Sequence, residues 1–241
     1  MSHVEPKPDS KPVLVLVPGL LCDQALWAHQ RDHLAELAEI VIADVTGADS
    51  IAGMAEAVLR QAPAGRFSLA GLSMGGYVAL EIARRAPERI ARLALLDTNA
   101  RADTEEHKAR RRALLAQSEM GDFKGATSRL LPLFLHPDHL ADAELVERVT
   151  AMTVRVGKDA FVRQQQAIMN RPDARAWLGE IRVATLVLVG RQDALTPVEL
   201  HEELAGRISR AKLVIVEDSG HLTTMEQPHA VSAVLRYWLQ E

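Results

Sequence analysis

The 241-residue chain reads as an α/β protein: a mostly parallel sheet of about six strands, flanked by helices and interrupted by a helical insertion. Three observations carry that reading. Short runs of β-branched residues and leucine recur along the chain, and stretches with helical spacing separate most of them. One long interval, from about 98 to 180, has helical patterns but no comparable strand run.

After a polar segment (1–12) that reads as a flexible tail, Val13 to Val17 is a VLVLV run bounded by Pro12 and Pro18-Gly19. Continuous apolar runs of this length suit strands buried on both faces, as parallel strands are. The same kind of run recurs at Ile40 to Val45, Phe67 to Leu72, Leu93 to Leu96, Leu186 to Val189 and Leu213 to Val216. Between Met74 and Ala86, Glu81, Arg84 and Arg85 fall three and four apart, while Val78, Ala79, Ile82 and Ala83 share the other side. That spacing predicts a helix with one buried face, stopped by Pro87. Within 98–180, Leu145, Val149, Met152 and Val156 carry a helical period, and Asp103 with Glu106 reads as an N-cap signal. The expected organisation is therefore a core of 13–97 and 181–241 with a helical cap at 98–180.

Composition narrows the function. Apolar residues make up 48%, enough for one sizeable core, and 28 basic against 32 acidic residues give a net charge of −4. No basic excess exists to neutralise phosphates, so nucleic acid is not an expected partner. One cysteine, Cys22, excludes an internal disulfide, and the opening residues lack the basic-then-apolar layout of a signal peptide. No apolar run approaches the ~20 residues that span a bilayer. A soluble, cytoplasmic protein with no membrane partner is expected.

The chemistry is carried by Gly71-Leu72-Ser73-Met74-Gly75, a G-x-S-x-G pattern placed between a strand and a helix. In that context the serine stands on a sharp turn above the sheet, at a helix N-terminus whose free N–H groups favour developing negative charge.

With VPGLL after the first strand, GLSMGG at this turn, and GRQDALTP followed by SGHLTTMEQP near the end, the chain resembles the α/β-hydrolase superfamily, in particular small bacterial carboxylesterase-like members with a helical cap. The resemblance runs over nearly the whole chain from Val13. It implies an α/β-hydrolase fold, a nucleophile at Ser73, a general base at His221 and a supporting acid at Asp193, in the order that fold requires. Asp97, ending LALLD, is the competing acid; otherwise it caps or orients the loop entering the cap. The resemblance places the oxyanion donors at the backbone N–H groups of Met74 and Leu20. The chain departs from the superfamily's His-Gly-x-Gly loop, with Pro18 for the histidine and Leu21 for the later glycine, and its short N-terminus leaves no room for the usual opening hairpin. A backbone donor needs no particular side chain, so the hole can survive the exchange.

The implied reaction is hydrolysis of a carboxylic ester or related acyl bond of a small molecule through an acyl-enzyme. C–C hydrolase, lactonase, thioesterase, lyase, perhydrolase and triad-bearing receptor or regulator stay open, because fold and triad do not choose among them. No zinc, flavin, nicotinamide or P-loop motif occurs, so no cofactor and no metal are expected. His136-Pro137-Asp138-His139 lacks a nearby third donor for a metal. Cys22 reads as packing, as do Phe134, Phe161, Met152 and Met169, with an acyl pocket as the second reading for the latter four. Arg110 to Arg112 fan around a helix and read as solvated, as do His29, His33, His201 and His229.

Overall fold

A computed structural model describes residues 11–120, 123–125 and 130–241; of the expected tail, 1–10 lie outside the described residues. Strand β1 (Val13–Val17) leads through α1 (Ala28–Leu34) to β2 (Glu39–Ile42), then α2 (Ile51–Gln61), β3 (Phe67–Leu72), α3 (Met74–Arg85) and β4 (Ile90–Leu96). Then come α4 (Glu105–Glu119), α5 (Leu131–Phe134) and α6 (Ala143–Met169), with no strand among the described residues of this interval. The chain closes with β5 (Thr185–Gly190), α7 (Val198–Arg207), β6 (Ala211–Val216), α8 (Thr223–Glu226) and α9 (Pro228–Gln240). All six strands pair in parallel, in the order β2-β1-β3-β4-β5-β6.

Alternate side chains of each strand point to opposite faces, and both faces are covered, so the runs are apolar without a break. On one side Val15, Val17, Leu69, Leu93, Leu95 and Val187 pack with Met54, Val58, Val78, Ile82 and Leu204 from α2, α3 and α7. On the other, Leu14, Leu16, Ala70, Leu72, Leu96 and Leu188 meet Trp27, Leu34, Leu235 and Trp238, together with Leu145, Val149 and Met152 of α6. Among the described residues, no helix is long and apolar enough to cross a membrane.

Four local expectations are corrected. Pairing of β2 stops at Ile42 rather than Val45, because Asp44 turns the chain by accepting from the N–H and hydroxyl of Thr46 at 2.8 and 2.7 Å. Helix α3 is buried almost all round rather than on one face: α2 covers its outer side, and Glu81 is held there by Arg84 and Arg85. The cap of α4 is Thr104, which accepts from His107 N–H, whereas Asp103 is buried between Arg111 and Arg171. Arg111 is thereby drawn off the solvated face that Arg110 and Arg112 keep.

Candidate active site

Ser73, Asp97, Asp193 and His221 lie just beyond the carboxyl ends of β3, β4, β5 and β6, and the loop Pro18–Cys22 follows β1. The edge of a parallel sheet thus collects residues that are distant in sequence.

The turn at Ser73 is enforced by close approach. A Cβ on Gly71 would sit 2.1 Å from the Gly75 carbonyl oxygen, and one on Gly75 would sit 2.1 Å from that of Val17. Only glycine lets α3 leave the strand so sharply. Ser73 itself takes φ 56° and ψ −116°, a sparsely populated conformation costing about 1–3 kcal/mol. The surroundings hold it there: Ser73 N–H donates to Leu96 O at 2.9 Å, and Thr98 Oγ1 donates to Ser73 O at 2.8 Å.

His221 Nε2 lies 2.8 Å from Ser73 Oγ, and His221 Nδ1 lies 2.8 Å from Asp193 Oδ2. An ionised carboxylate only accepts, so Nδ1 carries the proton and Nε2 is left to accept from the serine hydroxyl. Asp193 also accepts from the N–H groups of Leu195 and Thr196, at 2.8 and 2.9 Å, and from Thr196 Oγ1 at 2.6 Å. Burial by itself would raise the Asp193 carboxyl. The adjoining His221 and these donors more than reverse that, holding it below its ordinary range.

Asp97 differs. Its carboxylate is fully buried and accepts from Gly190 N–H at 3.0 Å and from Thr223 Oγ1 at 2.5 Å, whereas the imidazole Nδ1 is paired with Asp193. Burial, and then the charge of Asp193, push it well above the usual carboxyl range. It does not cap the loop toward 98–180, as expected; it ties β4 to β5 and to the segment after His221. His201, expected to be solvated, is fully buried and accepts from Thr98 N–H at 2.8 Å. Burial lowers it to about 4, so it is a neutral acceptor.

The histidine loop has supports that the sequence did not single out. His221 N–H and Leu222 N–H donate to Phe134 O at 3.0 and 3.1 Å. The buried Glu226 carboxylate accepts from Gly220 N–H (2.9 Å), Leu222 N–H (3.3 Å), His136 N–H (2.6 Å) and His139 Nδ1 (2.9 Å). The acid in SGHLTTMEQP was the available signal, as was Asp-x-x-Thr in GRQDALT for Thr196.

In the loop after β1, Gly19 abuts Ser73, with room for a Cβ only 3.3 Å from Ser73 Cβ. Leu21, where the superfamily carries glycine, nevertheless takes a left-handed φ of 59°, and its N–H donates to Gln164 Oε1 of α6 at 2.9 Å. Cys22 is buried among apolar side chains, its thiol pushed up to about 12 chiefly by burial. Phe134 and Met152 pack in the same cluster, the Phe161 ring lies tilted against that of Phe123 with centroids 5.5 Å apart, and Met169 is half-buried.

Comparison with known proteins agrees with this architecture. The family model described as alpha/beta hydrolase fold matches residues 12–228. Pimeloyl-[acyl-carrier protein] methyl ester esterase from Neisseria meningitidis serogroup B is 30% identical over 196 residues, covering 79% of this chain and 75% of that protein. RutD from Rhizobium rhizogenes, named for carbamate hydrolysis, is 32% identical over 258 residues, covering 98% of this chain and 95% of that protein. A thermophilic esterase from Thermogutta terrifontis superposes with a TM-score of 0.87 at 30% identity, covering 96% of this chain and 90% of that one. With most of its length matched in sequence and in structure, this chain belongs to the alpha/beta hydrolase fold family.

Proposed function

We propose that the protein is a serine hydrolase that cleaves a carboxylic ester, or a related acyl bond, of a small molecule through an acyl-enzyme on Ser73. The observation that carries this reading is the continuous chain of hydrogen bonds from Asp193 through His221 to Ser73. Ser73 Oγ attacks the acyl carbon as its proton passes to His221 Nε2, and Asp193 holds the imidazole in the required tautomer and stabilises its charged form. The N–H groups of Met74 and Leu20 receive the oxyanion. In support, the neighbouring N–H groups of Leu21 and Cys22 are already given to Gln164 and Gly19, which favours Leu20 as the donor from that loop. His221 then protonates the leaving alcohol, and water repeats the sequence on the acyl-enzyme. The chemistry needs no cofactor, and the helices within 98–180 act as the cap that selects the acyl group.

The relatives direct the substrate panel: methyl and p-nitrophenyl esters of increasing acyl length, a lactone and a carbamate. Labelling with a fluorophosphonate, located by mass spectrometry, should fall on Ser73, with multiple turnovers on at least one ester. Ser73→Ala should lower kcat/KM by about 10³-fold or more while leaving the circular dichroism unchanged. Retained turnover in purified Ser73→Ala would overturn the assignment.

A further inference from the structure

Away from the catalytic edge, α1 and α9 bring three histidines together. His29 and His33 are one turn apart on α1, so they share a face, and His229 approaches from the first turn of α9. The His29 and His33 rings stack with centroids 3.6 Å apart, and His229 meets His29 edge-on at 4.5 Å. One ring nitrogen from each of the three lies within 4.8 Å of the others.

The hydrogen bonds around the cluster leave nitrogens uncommitted. His33 Nδ1 donates to His29 O at 2.8 Å, and His29 Nδ1 lies 2.8 Å from Ser232 Oγ. His29 Nε2 is buried with no hydrogen-bond partner. A buried imidazole nitrogen without a partner is costly, and a ring fixed through its Nδ1 with Nε2 left over is the arrangement of a metal-ligating histidine.

We propose that His29, His33 and His229 form a binding site for one divalent transition-metal ion, zinc by ligand type, which pins α9 onto α1. Imidazole is a borderline ligand that suits Zn²⁺, and three such donors leave an open position for water. Zinc–nitrogen bonds of about 2.1 Å require the donors to close in from their present spacing and the His33 ring to turn out of its parallel stack on His29, so that the in-plane lone pairs converge on one ion. The exposed rings of His33 and His229 can pivot to do so, His33 exchanging its hydrogen bond to the His29 carbonyl for the ion, while His29, held by Ser232, is the fixed point. The site joins the two helices whose inner faces supply Leu34, Val231, Leu235 and Trp238 to one side of the core, so an ion there resists detachment of the last helix. This inference is independent of the proposed esterase chemistry. The sequence reading missed it because two ligands stand near one end of the chain and the third near the other.

The test is titration of the metal-free full chain with Zn²⁺ by calorimetry and with Co²⁺ by visible absorption, on the wild type and on His33→Ala and His229→Ala. Both substitutions are at exposed positions, so both variants fold and keep esterase activity. The expected result is one saturable site per chain, cobalt bands of four-coordinate intensity, and a Tm raised by roughly 5 °C at saturating Zn²⁺, with affinity at least ~10-fold weaker in either variant. Absence of saturable binding in the wild type, or binding in either variant as tight as in the wild type, would overturn the proposal.

Discussion

Asp193 and Asp97 end neighbouring strands, and their surroundings drive them in opposite directions. Asp193 is held below its ordinary range by His221 and Thr196, whereas burial and the charge of Asp193 push Asp97, which accepts from Thr223 and Gly190, well above it. Two substitutions with the same chemistry should therefore differ in outcome. Asp193→Asn should lower kcat by about 10³ to 10⁴-fold, since an amide there favours the wrong imidazole tautomer. Asp97→Asn keeps a polar group of the same shape between Gly190 and Thr223, makes no change at the imidazole's partners, and should keep kcat within about tenfold, as steady-state assays on a shared ester will show. The same residue predicts a dependence of stability on pH. Because the folded value lies above the ordinary 3.8, the stabilising contribution of Asp97 is complete below that pH and is lost as pH rises through the folded value. Asp97→Asn removes the loss, so its Tm should gain on that of the wild type as pH is raised from about 4 to about 8. A constant Tm difference across that range would mean that Asp97 is ionised in the fold.

Helix α6 is two helical segments meeting at Gly157, whose φ of 79° and ψ of 171° lie in a region that only glycine enters comfortably. A Cβ there would meet nothing, so the cost of Gly157→Ala is conformational: about 1–3 kcal/mol, or roughly 3–10 °C in Tm by calorimetry. The bend matters to the site because Gln164, seven residues on, satisfies the N–H of strained Leu21. Gln164→Leu should leave that buried donor unpaired and lower both Tm and kcat/KM, with a kcat effect that a purely structural role would not give. Elements were legible in the sequence where burial on two faces makes a strand apolar from end to end: Val13–Val17 and Phe67–Leu72 emerge with their observed bounds. Strands β4 and β6 run further than their apolar runs, to Ile90 and Ala211, because backbone pairing continues under Arg92 and Lys212, whose side chains can reach solvent. His201 was illegible for the complementary reason. Its neighbours Glu199, Glu202 and Glu203 are acidic, and only the partner three residues on, Leu204, marks the buried face of α7.

At the scale of the whole molecule, the helical segment between β4 and β5 is held together by buried charge as well as by apolar contact, and one of its guanidiniums reaches helix α3. Asp103 accepts from Arg171 at 2.6 Å and from Arg111 at 2.7 Å, and Arg171 lies 4.2 Å from the centre of the Tyr77 ring on α3. Burial would raise the Asp103 carboxyl, but the two guanidiniums prevail and lower it, so its stabilising contribution is present above 3.8 and disappears as pH falls through the folded value. Asp103→Ala strands a buried guanidinium and should cost about 3–5 kcal/mol, lowering Tm by roughly 10 °C or more in thermal denaturation. The candidate site was legible as chemistry, through Ser73, Asp193 and His221, but not as a scaffold. Apart from the Glu226 carboxylate, the ties that hold the histidine loop are made by backbone atoms, the Phe134 carbonyl and the His136 N–H, and main-chain partners leave no mark on residue identity. That anonymity bears on how such a protein diversifies. The carbonyl of residue 134 and the N–H of residue 136 persist through any substitution except proline at 136, so side chains near Ser73 can be exchanged without removing these ties to the His221 loop. Under the proposed mechanism, new substrates can then be sampled by point mutation, one pocket wall at a time, while Ser73, His221 and Asp193 stay in register.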